Sequence, residues 1–275
     1  MTEDELIAAI TRAAGCPPAG IEVGIGDDAA VLAGGLVLAG DMLVDGVHFH
    51  SGRSAAAAIG RRAAAANLSD MAAMGADPVC LIASLGIPDG FRDAADLAAG
   101  IASHGVPLVG GDLSSAPVLV VSLAALGRAE RPVLRSTGRP GDRLAVTGRL
   151  GAQVVGGYAL EVVPRLAEGR ALAGVASAMI DLSDGIATDA RRLAAASGVR
   201  AEIDLDRLPR APGASVEQAA TGGEDYELLA ALPPDAPVPP GMTTVGRLVD
   251  GQGLVLRDRN GRPVELTGWD HFSSR

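Results

Sequence analysis

The chain has 275 residues, of which 48% are hydrophobic and only 2% are aromatic. This length is enough for one large domain or two smaller ones, with a core built from aliphatic side chains. The formal net charge is −10, which argues against the clustered positive charge that sequence-independent nucleic-acid binding requires, so we expect no nucleic-acid partner.

The chain contains no lysine, so all 23 basic residues are arginine. Schiff-base and pyridoxal-phosphate chemistry need a titratable amine, and both the P-loop and the protein-kinase site need a lysine at the phosphates. The sequence therefore excludes these classes, and any phosphate chemistry must use arginine, backbone N–H groups and metal ions.

No stretch of the sequence approaches the roughly 20 uncharged apolar residues that cross a bilayer, so we expect no membrane partner. The acidic start of the sequence, Met1 to Glu5, argues against a targeting segment. The two cysteines, Cys16 and Cys80, are too few for a disulfide framework or a zinc site. These features predict a protein of the reducing cytoplasm.

Hydrophobic periodicity predicts strands and helices that alternate along the chain. The predicted helices cover 3–14, 54–74, 93–104, 151–160 and 186–196, and the predicted strands cover 36–39, 81–87, 118–126, 144–147, 179–181, 201–205, 227–232, 243–248 and 253–257. This alternation is typical of an α/β or α+β protein. The stretch 128–142, which is rich in proline, glycine and arginine, is the best candidate for a domain boundary.

Six short segments carry acidic residues, five of them together with glycine, mostly after an apolar run or beside a predicted helix. They lie at 26–28, 40–41, 67–70, 110–112, 181–185 and 222–225. Mg²⁺ prefers oxygen ligands and takes only one or two carboxylates per ion, so a metal-bound polyphosphate needs carboxylates from several strand ends. Each segment alone is equally typical of an ordinary turn or a helix N-cap, so only the set indicates this chemistry.

The segments belong to longer motifs in a fixed order. The motifs are GIGDDAAVL at 24–32, DMLVDGVHF at 41–49, NLSDMAAMGA at 67–76, GGD at 110–112, VTG at 146–148, IDLSDG at 180–185, GGEDYEL at 222–228 and GWDHF at 268–272. Together they resemble the thiamine-monophosphate kinase family, which lies in the superfamily of aminoimidazole ribonucleotide synthetase. The resemblance spans nearly the whole chain, and the motifs at 67–76 and 222–228 are the most specific to these kinases.

The resemblance implies a two-domain aminoimidazole ribonucleotide synthetase-like fold of the α/β (α+β) class. An N-terminal α/β domain over 1–134 would bind ATP and metal and form a homodimer, and a C-terminal α/β domain would cover 135–275. The implied reaction is direct in-line transfer of the γ-phosphoryl group of ATP to thiamine monophosphate, assisted by several Mg²⁺ ions.

The resemblance also implies roles for individual residues. The implied metal ligands are Asp28, Asp41, Asp70, Asp112, Asp181 and Asp184, the implied ATP contacts are Gly111, Asp112, Arg135 and Ser183, and the implied contacts to thiamine monophosphate are His48, Glu224 and Trp269. Trp269 suits stacking on a cationic ring, and Glu224 suits accepting a hydrogen bond from an amino group. Without the resemblance, Trp269 suits core packing, His48 an exposed strand end and Arg135 a solvated loop.

The chain departs from the family pattern at three places. Ala39 and Gly40 stand where the family has Ser-Thr before Asp41, Leu113 stands where Thr is common, and the stretch 151–179 is shorter than usual. The lost hydroxyl groups leave open a nucleotide- or thiamine-binding homologue without turnover.

Two further alternatives are a sister ATP-using enzyme of the superfamily with another acceptor and a plain Mg²⁺-dependent phosphohydrolase. Selenophosphate synthetase needs a reactive residue in a glycine-rich N-terminal loop, and neither Cys16 nor Cys80 lies in one. The hydrogenase-maturation relative carries a C-terminal cysteine, whereas this sequence ends in Phe-Ser-Ser-Arg.

Overall fold

The computed structural model describes residues 3–159 and 161–269, which form two sheets with helices packed against them. The elements of the first half are α1 (Glu3–Ala14), β1 (Ile21–Val23), β2 (Ala30–Leu32), β3 (Leu36–Val44), α2 (Ala56–Ala73), β4 (Asp77–Ile87), α3 (Ala94–Ile101), β5 (Leu108–Ser115) and β6 (Val120–Arg128). Their strands form one sheet in the order β1-β2-β3-β6-β4-β5, in which only β4 and β5 pair in parallel.

The second half forms a separate sheet of seven strands. Its elements are β7 (Arg143–Val146), α4 (Ala152–Val155), α5 (Leu166–Leu172), β8 (Ala178–Asp181), α6 (Ile186–Ser197), β9 (Arg200–Asp204), α7 (Val216–Thr221), β10 (Leu228–Leu232), β11 (Thr243–Val249), β12 (Gly253–Arg257) and β13 (Pro263–Val264). The strand order is β13-β12-β9-β11-β7-β10-β8. Of the paired strands, only β9 and β12 run parallel.

Helix α2 lies between the two sheets, which explains its alanine-rich sequence. Leu68 and Met71 belong to the core of the first sheet, whereas Ala72 and Ala73 pack with residues of the second sheet. Small side chains allow close approach on more than one side of the helix, because backbones can then pack at short distance. A Cβ on Gly60, for example, would lie 2.2 Å from the Leu97 carbonyl oxygen of α3.

The first sheet carries helices α2 and α3 on one face, and within residues 3–159 and 161–269 its other face is open. Three apolar side chains are exposed there, Leu38 (43%), Met42 (50%) and Ile82 (47%). The strand register places Leu38 and Met42 of β3 on this face together with Ile82 of β4, because alternate residues of a strand share a face. An apolar face of this kind is typical of a protein–protein contact.

The mixed α/β class and most predicted elements are confirmed, and four details of the prediction are wrong. The strand predicted at 36–39 runs on to Val44, so Asp41 lies inside β3 and not at its end. The helix predicted at 151–160 has only the four residues of α4. Strand β5, which contains Gly110 and Gly111, was not predicted because glycine is depleted in strands. The short elements β1, β2, β13, α5 and α7 were also missed.

The domain boundary at 134/135 stays a prediction. It falls between the last strand of the first sheet, which ends at Arg128, and the first strand of the second sheet, which begins at Arg143. Among the helices of the described chain, none has the length and apolar character that a membrane crossing requires.

Candidate active site

Three carboxylates from distant parts of the sequence meet between the two sheets. Asp28 lies in the loop before β2, Asp70 in the last turn of α2, and Asp181 at the end of β8. One oxygen from each of these side chains lies within 4.8 Å of the others. The meeting follows from the position of α2, because this helix brings Asp70 of the first half against β8 of the second. We call Asp28, Asp70 and Asp181 the carboxylate cluster.

The cluster concentrates negative charge in a buried position. Burial, and next the charge of Asp28, raises the pKa of Asp181 from 3.8 to about 8. Burial likewise raises the pKa of Asp70, and the neighbouring charges of Asp181, Asp28 and Asp41 add to this effect. Carboxylates that repel each other in a desolvated site favour a bound cation.

Arg135 partly neutralises the cluster through a bidentate ion pair with Asp28. Its Nε donates to Asp28 Oδ2 at 3.0 Å, and its Nη2 donates to Asp28 Oδ1 at 2.6 Å. The backbone N–H of Arg135 donates to Asp27, and burial followed by the Asp28 charge raises the pKa of Asp27 to about 6. The structure therefore places the predicted ATP contact Arg135 against the carboxylates, where its side chain is only 18% exposed.

Two buried polar residues of α2 position the acidic groups, and sequence reasoning gave neither of them a role. Ser69 Oγ donates to Asp181 Oδ2 at 2.7 Å. Asn67 Oδ1 accepts from the backbone N–H of Asp41 at 3.2 Å, while its Nδ2 donates to the Ala63 carbonyl at 3.1 Å. The available signal was that two polar residues stand in an alanine-rich helix, where buried polar groups need partners.

Asp184 lies close to this region but is held by a different set of contacts. Arg192 of α6 donates to both Asp184 and Asp189, and it also reaches Glu3 of α1 at 3.3 Å. The backbone N–H of Asp184 donates to Asp189 Oδ2 at 3.1 Å. Asp184 is not part of the carboxylate cluster, and the motif reasoning missed its partner Arg192, which lies eight residues further along the chain.

Gly111 and Asp112 lie away from the other predicted ligands of the same chain. Both belong to β5, and the register runs from Asp41 across Leu123 and Ala83 to Gly111. Three strand spacings of about 4.8 Å place Gly111 about 14 Å from Asp41. Asp112 shares its row with the exposed Met42, so its side chain lies on the open face of the sheet and not on the face that carries α2.

A cavity of about 920 Å³ opens beside the cluster and brings together the remaining predicted site residues. Its lining includes Asp41, His48, Ser183, Asp184, Glu224 and Trp269. The ring of His48 accepts from the backbone N–H of Val44 at 3.0 Å, through Nδ1. The backbone N–H groups of Glu224 and Trp269 donate to the carbonyl oxygens of Ser183 and Asp184 at 2.7 and 3.0 Å. The volume and polar lining suit a small phosphorylated ligand.

Several known proteins are similar to this chain over most of its length. Residues 26–129 match the family described as AIR synthase related protein, N-terminal domain. A thiamine-monophosphate kinase of Halobacterium salinarum is 38% identical over 277 residues, which cover 90% of this chain and 94% of that protein. One of Mycobacterium tuberculosis is 37% identical, with 93% of this chain and 87% of that protein covered. The chain belongs to the thiamine-monophosphate kinase family.

A solved structure from the same family, AaThiL in complex with AMPPCP and TMP, matches the fold with a TM-score of 0.88. It is 30% identical and covers 98% of this chain and 97% of its own. The family assignment and the α/β (α+β) aminoimidazole ribonucleotide synthetase-like fold that the motifs implied are thus confirmed. The last motif is only partly described, because residues 270–272 lie outside the described residues.

Proposed function

We propose that the protein transfers the γ-phosphoryl group of ATP to the phosphate of thiamine monophosphate and so forms thiamine diphosphate. The observation that carries this proposal is that the carboxylate cluster adjoins the cavity of His48, Glu224 and Trp269. Asp41 connects the two, because it lines the cavity and its charge acts on Asp70. The named activity of the relatives, and the AMPPCP and TMP bound to AaThiL, support the choice of both substrates.

The reaction would be a direct in-line displacement. An anionic oxygen of the acceptor phosphate forms a bond to the γ-phosphorus, while the bond from that phosphorus to the β,γ-bridging oxygen breaks and ADP leaves. Because the acceptor oxygen is already ionised, the chain does not have to provide a general base. Its task is to hold two anions in line, with His48, Glu224 and Trp269 on the acceptor and Arg135 and Ser183 on the nucleotide.

We propose Mg²⁺ as the cation of the carboxylate cluster. The donor set fits, because Asp28, Asp70 and Asp181 offer hard oxygen ligands within 4.8 Å of one another and Asp41 lies nearby. Asp184, Ser183 and the nucleotide phosphates would complete the surroundings at the cavity. Bound Mg²⁺ would offset the repulsion between the two phosphate-bearing substrates. Ser69 and Asn67 would keep Asp181 and Asp41 in place when the ion binds.

We also propose that the protein acts as a homodimer through the open face of the first sheet. The exposed Leu38, Met42 and Ile82 give this face an apolar centre, and Asp112 lies on the same face. Since Asp112 is about three strand spacings from Asp41 in its own chain, it would join a metal site by crossing to a second copy. Gly111 and Asp112 would then serve the partner's nucleotide.

We place the protein in the cytoplasm, as the chemistry of ATP use and the two free cysteines suggest. Cys16 is exposed and Cys80 is half-buried, and neither takes part in a disulfide among the described residues.

The proposed function is tested by incubating the purified protein with ATP, Mg²⁺ and thiamine monophosphate and measuring thiamine diphosphate directly. We expect product that requires the acceptor and the metal, with one ADP released for each product formed. Binding of both substrates without product would instead support a silent homologue, which Ala39 and Gly40 favour. ADP release without the acceptor would support a phosphohydrolase, and ATP binding alone would point to another acceptor.

A further inference from the structure

The residues with strained backbone gather at the acceptor cavity. In the described chain, three residues other than glycine have a left-handed backbone: Tyr158 (φ 58°), Glu224 (φ 66°) and Tyr226 (φ 51°). All three line the same cavity. Residues other than glycine rarely adopt this backbone conformation. They keep it only where surrounding contacts enforce it, most often at functional sites. The contacts that hold these three residues therefore help to shape the cavity.

Arg62 of α2 contacts two of these three residues. Its Nη1 donates to the carbonyl oxygen of Tyr158 at 2.6 Å, and its Nη2 forms an ion pair with the Glu224 carboxylate. The side chains of Arg62 and Glu224 are only 12% and 20% exposed, so this pair is largely shielded from water. Arg62 thereby ties the loop at 156–159 and the motif at 222–228 to the same helix that carries Asp70.

The hydrogen bonds of Arg62 to the described chain come from its two terminal nitrogens. Its Nε is buried and lacks a hydrogen-bond partner among the described residues. Buried donors are almost always paired, because an unpaired donor is destabilising. Both terminal nitrogens of Arg62 hold segments of the cavity wall, and these two contacts favour a role in shaping the site.

We propose that Arg62 is a positioning residue for the acceptor subsite, an inference that rests on the proposed function. It fixes the Glu224 carboxylate at the angle from which it accepts a hydrogen bond from the amino group of the acceptor. It also fixes Tyr158, an aromatic side chain on the same cavity wall, where it faces a cationic ring. Arg62 therefore sets the affinity for the acceptor and leaves the affinity for ATP unchanged.

The variants Arg62→Gln and Arg62→Lys test this role, with Arg170→Gln as a matched control. Arg170 also bridges two elements, since it pairs with Asp77 at 3.0 Å, but it is exposed and does not line the cavity. We expect Arg62→Gln to raise the KM for thiamine monophosphate about tenfold or more, as the loss of a charge-assisted hydrogen bond implies. The KM for ATP should stay within about twofold, and Arg62→Lys should recover part of the loss because the charge remains.

A double-mutant cycle distinguishes an effect of Arg62 through Glu224 from a general destabilisation of the cavity wall. If Arg62 acts through Glu224, Arg62→Gln should add little to the effect of Glu224→Gln on acceptor KM, and the two losses should be clearly non-additive. Fully additive losses would overturn the proposal. So would an equal rise in the KM for ATP and for the acceptor, or an Arg62→Gln enzyme that behaves like Arg170→Gln.

The outcome is distinct from a failure of the proposed function. If the wild type makes thiamine diphosphate and Arg62→Gln leaves the acceptor KM unchanged, only the role of Arg62 is refuted. If the wild type forms no product and binds no thiamine monophosphate in calorimetry, both the proposed function and the role of Arg62 are refuted. If Arg62→Gln does not fold, Arg62→Lys carries the test, and an unchanged acceptor KM in that folded variant overturns the inference.

Discussion

Arg135 and Asp28 form a bidentate ion pair that joins the start of the second half of the chain to the loop before β2. The two contacts measure 3.0 and 2.6 Å, and the Asp28 side chain is completely shielded from solvent. The guanidinium contacts the carboxylate cluster directly, and the pKa of Arg135 is raised above its usual value because the effect of Asp28 exceeds the opposing effect of burial. The pair therefore balances charge at the site before a metal ion binds.

Replacing Arg135 with Gln should destabilise the metal-free protein by about 3 to 5 kcal/mol, because it leaves the buried Asp28 carboxylate without its partner. We expect added Mg²⁺ to restore part of the loss, since a divalent cation can replace the missing positive charge. Thermal or urea unfolding with EDTA and with Mg²⁺ measures both effects.

The control for this prediction is Arg170→Gln, which breaks an exposed ion pair with Asp77. Exposed pairs contribute about 0 to 1 kcal/mol, so this variant should unfold almost like the wild type with and without Mg²⁺. An Arg135→Gln protein as stable as this control would contradict the assigned role of the Arg135–Asp28 pair.

Asp181→Asn should abolish most of the turnover and yet stabilise the metal-free protein at neutral to alkaline pH. The folded pKa of about 8 lies above the ordinary value of 3.8, so between these values the unfolded chain binds fewer protons than the folded one. The contribution of Asp181 to stability therefore falls as the pH rises from about 4 to about 8, and this loss should disappear with the carboxylate.

The measurement is the difference in melting temperature between Asp181→Asn and wild type in EDTA, taken at pH 5 and at pH 8. We expect the variant to gain stability at pH 8 relative to pH 5. Asn still offers Ser69 an oxygen acceptor, so the 2.7 Å contact can be kept. A variant that is destabilised to the same extent at both pH values would show that Asp181 is not under electrostatic strain.

The sequence identified the acidic residues of the site but not how they meet. The motifs that contain Asp28, Asp70 and Asp181 were recognisable locally, because Asp28 and Asp181 stand near glycine and Asp70 stands with other polar residues near the end of an alanine-rich helix. Their meeting depends on α2 lying between two sheets, and this position follows from packing over the whole chain. A pattern within a short window cannot report it.

The partners of the arginines around the site could not be predicted for a related reason, although Arg135 itself was expected at the nucleotide. Arg62 contacts residues 96 and 162 positions further along the chain, and Arg135 contacts one 107 positions before it. No local periodicity marks such partners. The glycine pair of β5 led to a wrong local prediction. Gly110 and Gly111 are typical of a turn, but in the structure they lie in a strand that pairs with β4.

Ile82→Asp should separate the proposed homodimer into single chains. Ile82 is 47% exposed in the centre of the open face, and a charge there would be buried without a partner if two copies packed together. Light scattering coupled to size-exclusion chromatography should give a dimer mass for the wild type and a monomer mass for the variant. Turnover should fall as well, because Asp112 of one copy could no longer reach the other.

The matched control is Val163→Asp, which places the same charge on an apolar side chain that is 59% exposed but lies outside the first sheet. It should leave the dimer mass unchanged. A wild-type protein that elutes as a monomer at enzyme-assay concentrations and still turns over would refute both the dimer and the transfer of Asp112 between copies.

Gly111→Ala should weaken ATP use by displacing β5. Gly111 has a φ of 156°, and a Cβ at this position would lie 1.8 Å from the carbonyl oxygen of Ala83 on β4. Because that obstacle is backbone, the two parallel strands must shift apart, which moves Asp112 and costs about 1 to 3 kcal/mol in strain. Gly174→Ala is the control, since no atom lies within 4 Å of a Cβ there. We expect Gly111→Ala to raise the KM for ATP more than the KM for thiamine monophosphate, whereas Gly174→Ala changes neither; equal kinetics for both variants would show that β5 takes no part in nucleotide binding.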